Sequence, residues 1–292
     1  MHAYLPAIGF GQIKKKSQLQ QLLSSVQNFP DQVQKIRLDE ESSLVVYTKE
    51  VAPDIGLMIC GEEDMQGSFQ MEYYEPYINS NVCSSKAECS IEKESAREAY
   101  DGVCDDCRLG LNLIFSVNNF MEYRKYQVLQ GSFPTVTDAC LSALCTQGKI
   151  LLPILKRPEA ARIAKKKEQG RQKLIEAARE GNQEAIDSLT IDDMNLSNKV
   201  GRLLNSCDIY TMVESSIMPC GMESDRYTII GEILNVVPLV NEISKEPLCQ
   251  MDVKCNNICI RVLVNRLGLM GEPMVGRRFK GDIWLQGVVN FV

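Results

Sequence analysis

The stretch Arg277-Arg278-Phe279-Lys280-Gly281-Asp282-Ile283-Trp284-Leu285-Gln286-Gly287-Val288-Val289-Asn290-Phe291 decides how this chain is read. Side chains along a strand point alternately to its two faces. In register, Phe279, Ile283, Leu285, Val289 and Phe291 share one face with Gly281 and Gly287. Arg278, Lys280, Trp284, Gln286 and Asn290 share the other with Asp282. The first set reads as the lining of a core. The second places the only tryptophan beside two cations and two amides. Such a face can stack a base or sugar ring and hold anionic or hydroxyl groups around it. The plain alternative is that Trp284 fills a seam against the helical segment or the N-terminal region. A bulge at Gly281 or Gly287 would turn part of the set over.

Working back from this strand, 257–265 alternates cleanly, with Ile258, Ile260, Val262 and Val264 on one side. Residues 226–237 are strand-like, with a bulge expected at Gly231. Several strands with glycine punctuation predict a β-rich, barrel-like domain over 207–292. Residues 156–206 change character. Leu174, Ala177 and Ala178 form a stripe, Gly181-Asn182 break it, and Ala185, Ile186 and Leu189 resume it. This predicts a helical hairpin connector. Residues 1–155 read as a mixed α+β domain. Leu19, Leu22, Leu23 and Val26 give 16–29 a helical face that ends before Pro30. Strands are expected at 43–49, 56–62, 68–78 and 89–95. A central strand, buried on both faces, is expected at 108–117. Helices are expected at 118–126 and 138–145. The fold class is therefore α+β, in two domains joined by the hairpin.

Composition limits the chemistry. The chain has 12 cysteines and one histidine, His2. Histidine is the usual general acid/base and the commonest transition-metal ligand. At position 2 it is expected to fray with the terminus. Triads and sites built on several histidines therefore lack their parts. With 45% hydrophobic and 24% charged residues the composition is that of a globular protein. The net charge of −6 disfavours broad nucleic-acid binding. No run reaches the length of a membrane span, and the N-terminus does not read as a secretory signal. A cytoplasmic location with reduced thiols is expected.

The tightest cysteine pair is Cys104-Asp105-Asp106-Cys107, with Asp101 just upstream. Two thiols at this spacing can share a metal or exchange as a redox couple. Asp101, Asp105 and Asp106 could hold Mg²⁺ through oxygens. The plain alternative is an acidic turn with two small packed residues. No phosphate-cradling loop, nucleophile elbow or Walker-type motif is present.

Several blocks together resemble a known family: Met1-His2 with Ile8-Gly9-Phe10, Met71-Glu72-Tyr73-Tyr74-Glu75-Pro76-Tyr77, the run from Glu94 to Tyr100-Asp101-Gly102-Val103-Cys104-Asp105-Asp106, 110–115, Tyr227-Thr228-Ile229-Ile230-Gly231-Glu232-Ile233, and Gly271-Glu272-Pro273 onward to Gly287. The sequence is similar to an uncharacterised full-length family, a domain of unknown function, of anaerobic Gram-positive bacteria. The resemblance implies a bacterial cytoplasmic protein and carries no activity with it. Cys107 departs from the family pattern, which weakens a metal reading of Cys104.

Two functions follow as expectations. The first is a non-catalytic binding or scaffold protein without a cofactor. Its contact residues would be Trp284, Arg278, Lys280, Gln286 and Asn290, and its partner a protein or small-molecule ligand. The second is a carboxylate- or Mg²⁺-dependent hydrolase or transferase built on Asp101, Asp105 and Asp106, with Cys104 and Cys107 beside them.

Overall fold

In a computed structural model we describe residues 1–106, 108–109, 111–154, 170, 173–175, 177–178, 181–189, 213–221 and 224–292. The chain is a β-rich α+β protein, with two sheets among the described residues.

The first sheet is a four-stranded antiparallel meander of β1 (Gln32–Arg37), β2 (Ser42–Ala52), β3 (Ile55–Asp64) and β4 (Phe69–Ile78). Its turns are written locally. Asp54 takes a positive φ between β2 and β3. Asp64 Oδ1 accepts from the amides of Gln66 and Ser68 at 2.8 and 2.9 Å, and Gly67 supplies the left-handed residue of that turn. Helix α1 (Lys16–Asn28) buries Leu19, Leu22, Leu23 and Val26, the stripe its spacing predicts. β1 is an addition that the sequence reading lacks.

The second sheet has ten strands. They are β5 (Cys89–Lys93), β6 (Tyr100–Asp106), β7 (Leu111–Val117), β8 (Val136–Leu151), β9 (Ser216–Pro219), β10 (Arg226–Val240), β11 (Pro247–Cys255), β12 (Ile258–Asn265), β13 (Leu269–Met270) and β14 (Arg278–Phe291). Helix α2 (Phe120–Gln130) follows β7. β8 pairs in parallel with β12 and antiparallel with β14. The strands after residue 207 thus form no closed barrel of their own. They continue a sheet whose other strands, β5 to β8, precede residue 155, so the expected boundary there does not divide the sheets.

Three local expectations are corrected. The helix at 138–145 is part of the 16-residue strand β8. Residues 139–145 are all buried, and a run buried on both faces carries no period to tell strand from helix. β7 instead buries alternate residues, with Leu113, Phe115 and Val117 inward. The bulge in β10 falls between Ile233 and Asn235, not at Gly231. Gly231 is there for closeness: a Cβ would meet the Cys255 thiol and the Lys254 carbonyl. The hairpin turn is seen at Gly181, with φ +86°, and at Asn182, whose Oδ1 accepts from the Ala185 amide at 3.2 Å. The rest of the expected connector, 156–206, lies largely outside the described residues.

Over 283–287 both faces of β14 are buried, against different cores. Phe279, Ile283, Leu285 and Val289 join one core with β7, β8, β10, β11 and β12 residues. Trp284 joins a second, made with Tyr4, Leu5, Ile8, α1 and β3. No described helix is long and apolar enough to cross a membrane.

Candidate functional site

The tryptophan face of β14 is covered. Trp284 is 5% exposed and its Nε1 donates to Asp225 Oδ2. The rings of His2 and Tyr4 lie tilted on the indole, with centroids at 4.8 and 5.6 Å. His2 is therefore held, and the expected fraying is corrected: its amide donates to the Tyr74 hydroxyl at 2.8 Å. Gln286 is fully buried. Its Oε1 accepts from the Ile78 amide at 3.0 Å and its Nε2 donates to the Pro76 carbonyl at 2.9 Å, which stitches β4 to β14. Arg278 is buried too, donating to the carbonyls of Leu152 at 3.0 Å and Val213 at 2.5 Å. Burial holds its guanidinium below the usual range. Asn290 is exposed and donates to Asp138 Oδ1 at 2.6 Å. The five residues do not share one open surface. The N-terminal segment and the first sheet cover most of that face, because Trp284 and Gln286 find their partners there.

Beside Trp284 lies a polar cluster at the seam of the two sheets. Arg97 bridges Glu75 at 2.5 Å and grips both oxygens of Glu94 at 2.7 and 2.8 Å. Its guanidinium sits 4.7 Å over the Tyr73 ring. Burial, then the charges of Glu94 and Asp225, push the Asp101 carboxyl up to about 6. Burial, then Arg97 and Arg226, push the His2 imidazole down to about 4. Sequence reasoning missed Arg97, Glu75 and Asp225, which are distant in sequence and meet only through the sheet register. The cleft among Glu75, Glu94 and Arg97 has about 10 Å³, room for one water.

The run 101–106 is a strand, not a loop, and the pleat divides it. Asp101 and Asp105 point to one face, Cys104 and Asp106 to the other. Asp106 is 2% exposed. Burial opposes its ionisation, but hydrogen bonds from Arg108 and Ser85 outweigh this and bring its carboxyl down to about 2. Arg108 Nε lies 2.8 and 3.1 Å from its two oxygens. Cys107 lies outside the described residues. The neighbour of Cys104 is Cys89, its register partner across β5 and β6. Among the described residues no cluster of three or more His, Cys, Asp or Glu has the geometry of a metal site.

Of the five predicted β14 residues, Asn290 and Lys280 lie outside the interior. Lys280 borders an open groove of about 620 Å³ with Lys149, Thr228, Leu267, Met270 and Asp282. Lys149 and Lys280 are direct register partners on β8 and β14. Leu267 and Met270 are 76% and 68% exposed. Gly148 and Gly281, which also border the groove, turn their Cα hydrogens to the core, where a Cβ on either would meet the Phe279 ring. Lys149 was missed because 138–145 was read as helix, which hid the strand that carries it.

No curated protein and no solved structure matches the chain. A family model described as "Domain of unknown function, E. rectale Gene description (DUF3881)" matches residues 5–287. This agrees with the resemblance read from the blocks between Met1 and Gly287. Covered over nearly its whole length by that model, the chain belongs to the DUF3881 family.

Proposed function

We propose that this protein is a non-catalytic binding protein, and that its contact surface is the groove where β8 crosses β14. The observation that carries this reading is the placement of Lys149 directly opposite Lys280. Like charges facing each other across a strand pair oppose sheet formation. A carboxylate of a partner laid across the groove would meet both ammonium groups at once. Exposed Leu267 and Met270 on the rim add an apolar contact. Small-molecule sites are usually concave and enclose most of their ligand. This groove is open, which favours an acidic, partly apolar segment of a protein over a small molecule. The alternative enzyme at Asp101, Asp105 and Asp106 has less support. The pleat turns Asp105 away from Asp106, and Asp106 is already engaged by a guanidinium.

The test is binding of the full chain to immobilised Glu/Leu peptides, measured against ionic strength. The native protein is expected to bind, more weakly as salt rises. Changing Lys149 and Lys280 together to Glu should weaken binding at least about tenfold, or about 1.4 kcal/mol. The melting temperature should change little, because one like-charged pair across β8–β14 replaces another. Equal binding by the native and double-variant proteins, or no binding by either, removes the reading.

A further inference from the structure

Cys89 and Cys104 face each other across β5 and β6. The Asp105 amide donates to the Glu88 carbonyl at 3.1 Å. This makes Cys89 and Cys104 a non-hydrogen-bonded pair, the class in which facing Cα atoms stand about 4.5 Å apart. A disulfide spans Cα separations of roughly 4.4–6.8 Å, so the pair lies within reach of a bond without moving the backbone far. The side chains lie on the same face of the sheet. Around them is a polar relay in which the Cys104 Sγ is 3.5 Å from Ser85 Oγ, and Ser85 Oγ donates to Asp106 Oδ2 at 2.5 Å. Arg108 holds that carboxylate in turn.

We infer that Cys89 and Cys104 are a dithiol site, which small-molecule disulfides oxidise to a reversible cross-strand bond. The direction of the thiol shifts agrees. A hydrogen bond from Cys89 lowers Cys104, and Ser85 and Arg108 help, although burial and the Asp106 charge oppose them; the same contact and burial raise Cys89. A thiolate at Cys104 is the attacking group. Its sulfur attacks one sulfur of the small disulfide, breaks that S–S bond and releases one thiolate, leaving a mixed disulfide on Cys104. Cys89 then gives its proton to the released thiolate and attacks the Cys104 sulfur. The second small thiolate leaves and takes a proton from solvent. Two protein thiols lose two electrons, and one small disulfide becomes two thiols. Cys104 is fully buried and Cys89 is 9% exposed. Among the described strands β5 pairs with β6 alone, so the reagent reaches the pair by local opening of this short edge strand.

The test uses the full native chain equilibrated in glutathione buffers of graded oxidised-to-reduced ratio. Remaining thiols are trapped with N-ethylmaleimide and the peptides mapped by mass spectrometry. The expected result is a Cys89–Cys104 linked peptide pair that forms as the buffer becomes oxidising and disappears on return to reduced glutathione. Cys89→Ser should accumulate glutathione on Cys104. Cys104→Ser should slow the reaction at Cys89 by about tenfold. Maleimide on both cysteines in the most oxidising buffer overturns the proposal. So does a bond from Cys104 to Cys107 or any third cysteine. If either serine variant fails to fold, the native peptide map decides alone.

Discussion

Gln286 bonds two backbone groups of another sheet, and no other residue type of its length could do both. A glutamine offers one acceptor and one amide donor pair at its tip. Leucine would fill the space but leave the Ile78 amide and the Pro76 carbonyl buried without partners. Each such group costs about 1–3 kcal/mol. Gln286→Leu is therefore expected to lower stability by about 3 kcal/mol, seen in urea as a lower midpoint with an unchanged slope. A neutral outcome would mean that β4 is not anchored there. Asp101 and His2 titrate in opposite senses at this seam, and burial raises the Glu75 carboxyl in the same sense as Asp101. Asp101 is raised to about 6 by burial. Its contribution favours the folded state below pH 4, where the acid is protonated in both states, and is lost as pH rises through 6. His2 is lowered to about 4 by burial. Its contribution is present above pH 6.5 and lost as pH falls through 4. The two oppose each other between pH 4 and 6.5. Asp101→Asn should raise the melting temperature at pH 7–8 and leave it little changed near pH 4.

At the scale of elements, β14 and β12 were legible because one side of each alternates cleanly toward a core. α1 was legible because its stripe has a single face and Pro30 stops it. β8 was not, since 139–145 are small or apolar residues buried on both sides, Ser142 included. The acidic run 101–106 misled for the opposite reason. Charges there suggested a loop, while pairing to β7 makes it a strand with Gly102 against the Phe115 ring. A Cβ on Gly102 would lie 2.6 and 2.7 Å from the Phe115 ring edge atoms. Gly102→Ala should cost about 1–3 kcal/mol by overpacking. Trimming the ring in the same chain should recover part of this, so the double variant Gly102→Ala, Phe115→Leu is expected to be more stable than the sum of the singles. Strict additivity would place Phe115 elsewhere. Of the β14 face, Lys280 faces the open groove, and Trp284, Arg278 and Gln286 are interior. Alternation gives the side of a strand but not what another segment lays over it, and here residues 2–10 do the covering.

At the scale of the molecule, β14 is a shared wall: remove it and both cores open. The first sheet meets the ten-stranded sheet in both cores: Leu44, Val46, Met58 and Tyr77 share one with Phe279, Ile283 and Leu285, Leu57 and Ile59 share the other with Trp284, and Gln286 and Arg97 add polar stitches. The single tryptophan sits in that junction, so its fluorescence reports the junction and not the far sheets. If the two sheets were independent units, the junction would part first. Trp284 fluorescence would then change at lower denaturant than the far-ultraviolet circular dichroism. Because the same strand supplies hydrophobic side chains to both cores, separating them exposes Trp284, Leu144, Leu248 and Leu263 together. At about 25 cal/mol per Å² of apolar surface, uncovering four large side chains costs several kcal/mol before any strand is lost. The expected outcome is one transition, with fluorescence and circular dichroism midpoints that coincide. Trp284→Phe keeps most of the apolar contact and loses the hydrogen bond to Asp225, so in it both sheets should still melt together at a lower midpoint. A circular dichroism trace that splits into two steps, in either protein, would show that the wall is not shared.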